Sequence, residues 1–254
     1  MQDLILYFFL KNNFSSAYKK HAIIEEVITV SVDFEKKLLN EQLLFLGEEF
    51  NGETNKYREI MMLYYAAIKQ VQTKLEILND ELQVTMKRNP IEFIKVRLKS
   101  QKSIIRKMNR YGIEKSINNL TEITDIAGVR VICSYIDDLY DVANMFVKQD
   151  DVKLIQIKDY IKKPKQNGYR SLHLLVEIPV FFSSVKRSIK VEIQIRTIAM
   201  DFWAQLEHDM EYNHVKEATT EIKEELKICA DIIHDTDLKM QAIKQKLRGT
   251  KDVI

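Results

Sequence analysis

Residues 191–196 read VEIQIR. In an extended strand, successive side chains point to opposite faces, so Val191, Ile193 and Ile195 share one side and Glu192, Gln194 and Arg196 the other. The apolar side belongs in a core. The other side sets a carboxylate, an amide and a guanidinium in a row, and its purpose depends on what the rest of the chain brings to it.

Four other stretches hold side chains of matching chemistry. In IEFIKVRLKSQKSIIRKMNR, Lys95, Arg97, Lys99, Lys102, Arg106, Lys107 and Arg110 crowd together beside an apolar stripe of Ile94, Leu98, Ile105 and Met108. No acidic partner at i,i+4 follows Glu92, which leaves an unneutralised positive surface suited to phosphates. TDIAGVRVICS places Asp125 just before a strand and Arg130 near its start. DYIKKPKQNGYRSLHLL puts Lys162, Lys163 and Lys165 in a loop that ends in an Asn167-Gly168 turn. Tyr169, Ser171 and His173 follow on one face of the next strand, a placement suited to base stacking beside phosphate binding. In RTIAMDFWAQLEHDMEY, Ile198, Phe202, Leu206 and Met210 form the expected buried stripe of a helix, with Asp201, Gln205, His208 and Tyr212 on its polar side.

Each feature alone has a plainer reading as well. The basic segment can be a solvated face, Asp125 a turn or cap residue, and Tyr169 a packing residue. Taken together, acidic residues on or beside strands, many fixed cations and an aromatic platform make up the kit for metal-dependent phosphoryl transfer between nucleotides.

The elements that must position these residues follow from hydrophobic periodicity. From Tyr57 onward, Tyr64, Ile68, Val71, Leu75, Leu78 and Leu82 recur at spacings of four and three, which predicts a long helix ending near Arg88. Asn89 as N-cap, Pro90 at the first helical position and Glu92 closing a capping box predict a second helix, running to about Tyr111. The period then shortens to two. Strands are expected at 129–134, 152–158, 171–178 and 189–196, with a helix from Asp137 to Lys148 between the first two. Thr197 can cap a helix through about Tyr212. A final amphipathic helix carries Ile222, Leu226, Cys229, Ile233, Met240, Ile243 and Leu247. The class is α/β (α+β), a sheet of four to five strands flanked by helices, with at least one parallel pairing and helical N- and C-terminal extensions.

Composition sets the limits. The 254 residues are 46% hydrophobic and 30% charged, the profile of a globular chain with a sizeable core. The net charge is only +2, so any nucleotide site depends on local clustering. Cys133 and Cys229 are far apart and outside any metal or disulfide spacing, which favours a reducing, cytoplasmic setting. The apolar run Leu4–Leu10 is too short to span a bilayer and lacks the basic start of a signal peptide. Six glycines and three prolines leave no flexible linker visible. We read 1–32 as a disordered or loosely docked extension, 33–88 as a helical region, 89–215 as the domain that carries the chemistry and 216–254 as a C-terminal amphipathic helix.

The motifs R-x-K-x-x-x-S-I-x-x-K (Arg97 to Lys107), DIAGVR, NGYRSLH and VEIQIRT followed by FWAQLEH occur in one order over roughly residues 90–215. This set resembles the synthetase domain of RelA/SpoT-type alarmone synthetases, and the short length is similar to the small, single-domain members of bacteria. The resemblance implies a nucleotidyltransferase-like mixed sheet. It also implies Mg²⁺-dependent transfer of the β,γ-pyrophosphoryl group of ATP to the 3′-hydroxyl of GDP or GTP, giving ppGpp or pppGpp, and a homotetramer.

Carried over by position, Arg97 and Arg130 look like the pair that sandwiches adenine, and Lys99, Ser103 and Lys107 like contacts to the ATP phosphates. Asp125 would hold the metal. Glu192 would be the second carboxylate, either a metal ligand or the base for the 3′-hydroxyl. Tyr169 would stack on guanine, with Lys165, Asn167, His173 and Gln194 near the acceptor, Arg196 on Glu192 or a phosphate, and His208 also on the acceptor side. Asp201 stands where some relatives have asparagine.

Two rival readings remain open: an acceptor that is the 3′ end of tRNA or an adenosine nucleotide, and an RNA-binding module in which the same cations hold single-stranded RNA. Alarmone hydrolysis is not expected. His208-Asp209 belongs to the synthetase-like segment and His234-Asp235 to the C-terminal helix, and no upstream helical His and distant Asp complete a metal site.

Overall fold

Helix α1 (Thr54–Met86) forms where the spacing of four and three predicts it, and all seven stripe residues from Tyr57 to Leu82 are buried. That stripe lies across four strands of the sheet. Each fully buried Leu, Ile or Val contributes about 1.5–3 kcal/mol, so α1 is a principal half of the core. The computed structural model describes residues 53–214 and 220–249. The expected extension over 1–32, and the helical region as far as residue 52, lie outside the described residues.

The chain after Pro90 departs from expectation. Instead of one helix from Asn89 to Tyr111, it forms strand β1 (Ile91–Leu98) and helix α2 (Gln101–Tyr111). No capping box forms at Asn89, and Glu92 instead accepts a hydrogen bond from Ser134 Oγ at 2.6 Å. Three β-branched residues and Phe93 within eight positions suit a strand, and the partner decides the matter: β1 pairs antiparallel with β2 from Ile91–Cys133 to Leu98–Ala127. Asn79 of α1 fixes the entry by bonding both backbone groups of Ile91, at 3.1 and 3.3 Å. Helix α2 starts after Ser100, which has extended backbone geometry, and ends at Gly112 with φ +66.

The remaining strands lie near the expected positions. They are β2 (Ala127–Cys133), β3 (Lys153–Asp159), β4 (Leu172–Phe181) and β5 (Lys186–Thr197), and α3 (Ile136–Val147) follows β2. Tyr169 and Ser171, expected on a strand face, precede β4 in the loop. The sheet order is β1-β2-β5-β4-β3, with only β2 and β5 parallel, which makes it the mixed, five-stranded sheet of an α+β fold. Val191, Ile193 and Ile195 are fully buried in the core, as the alternation requires.

Two helices bury other faces than periodicity predicts. In α4 (Ile198–His214) the apolar stripe is exposed: Ile198 52%, Phe202 58%, Leu206 44% and Met210 40%. Its buried side is Met200, Asp201, Trp203, Ala204 and Glu207. Ion pairing of Asp201 explains this, because a carboxylate paired with the buried Arg196 and with Arg130 belongs inside, and no apolar pattern reports those partners. The cap on this helix holds as expected, with Met200 N donating to Thr197 Oγ1 at 3.1 Å.

Helix α5 (Thr220–Gly249) buries Ala230, Asp237 and Lys244, spaced by seven, and half-buries Leu226 and Ile233. The other stripe residues, Ile222, Cys229, Met240, Ile243 and Leu247, are exposed. Its inner face is tied by polar contacts: Thr197 Oγ1 donates to Asp237 Oδ2 at 2.5 Å, and Lys244 Nζ pairs with Asp138 Oδ1 at 2.8 Å.

Candidate active site

Strand register assembles the site. Lys95, Arg130, Gln194 and His173 are consecutive partners across β1, β2, β5 and β4, and Arg97, Gly128 and Glu192 form the neighbouring row. Residues paired in register share a face, so these groups line one side of the sheet, opposite α1. They open onto a cavity of about 310 Å³ lined by Arg97, Lys99, Asp125, Arg130, Glu192 and Gln194, among others. Gly128 sits between Arg97 and Glu192, where the absence of a side chain leaves the floor open.

Asp125 stands at the entry to β2, and two ammonium groups meet it. Lys99 Nζ lies 2.5 Å from Oδ2, and Lys107 Nζ of α2 lies 2.7 Å from Oδ1. Burial raises its pKa, but the hydrogen bonds and charges of Lys107 and Lys99 together outweigh that, and the carboxyl sits below its usual range. Glu192 is held in a similar way. Burial pushes its pKa up and the Asp125 charge adds to that, while His173 and Gln194 bring it below the usual range. Gln194 Nε2 donates to Glu192 Oε2 at 2.9 Å, and His173 Nδ1 lies 3.4 Å from Oε1.

Both carboxylates are therefore ionised at neutral pH and close enough to feel each other. Among the described residues no cluster of three or more His, Cys, Asp and Glu is arranged around a metal. Two hard, ionised carboxylates lining one cavity nevertheless fit a divalent cation that takes its other ligands from phosphate oxygens and water.

Beside the cavity lies an aromatic cluster. Tyr169 and His173 share a hydrogen bond of 2.8 Å, and the rings of Tyr160, Tyr169 and His173 meet edge-on with centroids 5.2–6.0 Å apart. Lys165 Nζ rests 4.5 Å from the Tyr169 ring centre and 5.0 Å from that of Tyr160. Tyr169 is buried, packed with Trp203, Ala204 and Ala230. The loop that carries it turns between Lys165 and Gly168, whose φ is +88, and Asn167 Oδ1 accepts from Tyr169 N, two residues on, at 3.2 Å. Asn167 also donates to Glu207 of α4 at 2.8 Å.

The structure thus brings together Arg97, Lys99, Lys107, Asp125, Arg130, Glu192 and Gln194, with Lys165, Asn167, Tyr169, His173 and Arg196 adjoining. Ser103 lies in the first turn of α2, its hydroxyl bonded to that of Ser100. His208 is exposed on α4, on the helical side that continues from Asp201 and Gln205, and does not line the cavity. Arg196 faces the polar side as expected but is buried there, bonded to Asp201, Tyr169 and Gln194. Tyr160 and Glu207 escaped the sequence reading. The only cue to Tyr160 is its place beside the lysine-rich loop, and Glu207 is masked by its position on an amphipathic helix.

Comparisons with known proteins bear on the family and the fold. A sequence profile for the region found in RelA / SpoT proteins matches residues 96–217. The GTP pyrophosphokinase YwaC of Bacillus subtilis is 43% identical over 192 residues, which is 75% of this chain and 91% of the relative. The chain belongs to the RelA/SpoT-type small alarmone synthetases. A second relative from the same organism, the GTP pyrophosphokinase YjbM, is 30% identical over 77% of this chain and 92% of its own length. The crystal structure of small alarmone synthetase 2 from B. subtilis superposes with a TM-score of 0.69, at 43% identity, covering 75% of this chain and 98% of that one. The structure of small alarmone synthetase 1 bound to its product pppGpp matches with a TM-score of 0.70 and 31% identity, over 75% and 97%. As an alarmone synthetase, the chain shares the mixed sheet of these structures, with its cavity on the sheet face that Glu192 and Gln194 present.

Proposed function

We propose that this protein is a GTP pyrophosphokinase that moves the β,γ-pyrophosphoryl group of ATP to the 3′-hydroxyl of GDP or GTP, with no alarmone hydrolase activity. The observation that carries the reading is the pair of ionised carboxylates, Asp125 and Glu192, lining a cation-rich cavity that adjoins an aromatic cluster.

In the donor half, Arg97 and Arg130 flank the space for adenine, while Lys99, Lys107 and Ser103 reach the phosphates. In the acceptor half, the ring of Tyr169 takes the guanine once Lys165 leaves it, and Lys165 then serves a phosphate. Asn167 and Gln194 orient the acceptor. The acceptor 3′-oxygen attacks the β-phosphorus, the bond from the β-phosphorus to the α,β-bridging oxygen breaks, and AMP departs with that oxygen. Glu192 holds the attacking hydroxyl and receives its proton. Its lowered pKa makes orientation the larger part of its role.

Asp125 and Glu192 would hold Mg²⁺, which supplies neutralisation of phosphate charge when bound. The lysines and arginines stabilise the charge that develops in the displacement, at fixed positions and with little reorganisation. Exposed apolar residues on α5, among them Ile228, Ile232, Met240 and Ile243, support a homo-oligomer, proposed as a tetramer. A cytoplasmic location accords with the two free cysteines. Among the described residues no helix is long and apolar enough to cross a membrane.

An acceptor panel tests the reading. Purified protein is incubated with γ-labelled ATP and Mg²⁺ together with GDP, GTP, ATP alone as acceptor, or tRNA, and products are separated by thin-layer chromatography. Label on GDP or GTP is the expected result. Label confined to tRNA or adenosine nucleotides would replace the acceptor assignment.

A further inference from the structure

Asp201 is among the most buried carboxylates of the described chain, with 3% of its side chain exposed, and it touches neither the cavity nor the aromatic cluster directly. It meets both through arginines. Arg196 Nη1 donates to Asp201 Oδ1 at 3.0 Å, and Arg130 Nη1 lies 3.3 Å from the same oxygen. Gln205 donates to Oδ2. Arg130 lines the donor cavity beside Arg97. Arg196 reaches the other way, with Nη2 donating to Tyr169 Oη at 2.6 Å and to Gln194 Oε1 at 3.0 Å.

We propose that Asp201 is a positioning residue that couples the two halves of the site, so that ATP bound on Arg130 prepares Tyr169 and Gln194 for the acceptor, and the acceptor prepares Arg130 for ATP. This inference rests on the pyrophosphokinase reading. Two guanidinium groups that share one carboxylate oxygen repel each other and are bridged by it, so the placement of one limits the placement of the other. A ligand that orders Arg130 also orders the carboxylate. The second ligand then meets Arg196 already oriented, and less conformational freedom remains to be lost.

A purely structural ion pair would look different. Buried ion pairs contribute little net stability compared with apolar packing of the same volume, and here Arg130 lines the cavity while the buried Arg196 bonds Tyr169 and Gln194 beside it. The Nε of Arg196 is buried without a hydrogen-bond partner, so its directed contacts beyond Asp201 all go to Tyr169 and Gln194.

The test is a binding cycle on the full chain by calorimetry. GDP affinity is measured with and without saturating AMPCPP, whose methylene group replaces the α,β-bridging oxygen that departs with AMP, and AMPCPP affinity with and without GDP. In the unaltered protein each nucleotide should tighten the other by the same factor, at least about fivefold, the lower end of typical couplings. In Asp201→Asn that factor should fall to within about twofold of one while each nucleotide still binds alone, and Asp201→Glu should restore part of it.

If Asp201→Asn does not fold, Arg196→Lys reads the same path, because an ammonium cannot span Asp201 and Tyr169 together. It should abolish the coupling and leave AMPCPP affinity alone within about twofold. Coupling that persists in the folded variants, or is absent from the unaltered protein, overturns the proposal. Loss of pppGpp synthesis in the unaltered protein would instead overturn the functional reading, because the binding cycle does not depend on turnover.

Discussion

Gly168→Ala perturbs the acceptor loop at one atom. The glycine has φ +88, and a Cβ there would lie 2.6 Å from Ala230 Cβ and 3.4 Å from Lys227 Cα, both on α5. Carbon atoms pack at about 3.5–4.0 Å, so the overlap with Ala230 is about 1 Å. Helix α5 cannot easily yield, because Trp203 Nε1 donates to Leu226 O at 2.9 Å on one side of the contact and Thr197 bonds Asp237 on the other. Left-handed backbone costs an L-residue about 1–2 kcal/mol, and overpacking adds about 1–3 kcal/mol. The sum is about 2–5 kcal/mol, or roughly 4–20 °C in Tm for a chain of this size.

Should the loop move away instead, Asn167 and Tyr169 move with it, and KM for the acceptor rises more than KM for ATP. Calorimetric melting and steady-state kinetics with each substrate varied read both outcomes. Adding Ala230→Gly removes the clashing atom and should recover the packing part, less about 1 kcal/mol for a glycine inside a helix. Unchanged Tm and acceptor KM in the single variant would refute the claim that α5 sets the position of this loop.

Glu192→Gln should lower turnover by roughly 10²-fold to 10⁴-fold with the fold retained, whereas Ile193→Asp on the opposite face should destabilise first, by burying an unpaired charge; kinetics and melting on both variants check this. The Asp125 and Glu192 pKa values are lowered on folding, so their contribution is complete above the ordinary values of 3.8 and 4.5 and is lost as pH falls through the lower folded values. Stability against pH should therefore decline on the acid side, and Asp125→Asn should flatten that decline. Met240→Asp should shift the protein to smaller species in light scattering, since Met240 is 49% exposed on the outer face of α5; the half-buried Ile233 is a poorer probe, because it packs on the Tyr169 cluster.

The sheet and the cavity floor were legible where two periodicities could be told apart. The strand expected over 171–178 and the VEIQIR stretch keep an apolar residue at every second position, and His173 and Gln194 line up across the register. Strand β1 was not legible, because IEFIKVRL followed by KSQKSII also fits an amphipathic helix, and only pairing with β2 separates the two. The exposed stripe of α4 was missed for a different reason. Asp201 is inside because of Arg130 and Arg196, which are 71 and 5 residues away in sequence, and hydrophobic spacing cannot report an ion pair. The seven-residue seam of Ala230, Asp237 and Lys244 on α5 has the same cause, since Thr197 and Asp138 make its polar members welcome in the interior. Motif residues were legible as a set, while the partners that hold them, Tyr160 and Glu207 among them, had no separate mark.

The most direct measurement follows phosphorus. In ³¹P NMR of the unaltered protein with ATP, GTP and Mg²⁺, AMP and a guanosine nucleotide with two coupled phosphorus resonances at its 3′ position should appear in equal amounts, with Glu192→Gln strongly slowed under the same conditions. Formation of ADP, transfer of a single phosphate, or a Glu192→Gln variant as fast as the unaltered protein would contradict pyrophosphoryl transfer on this floor.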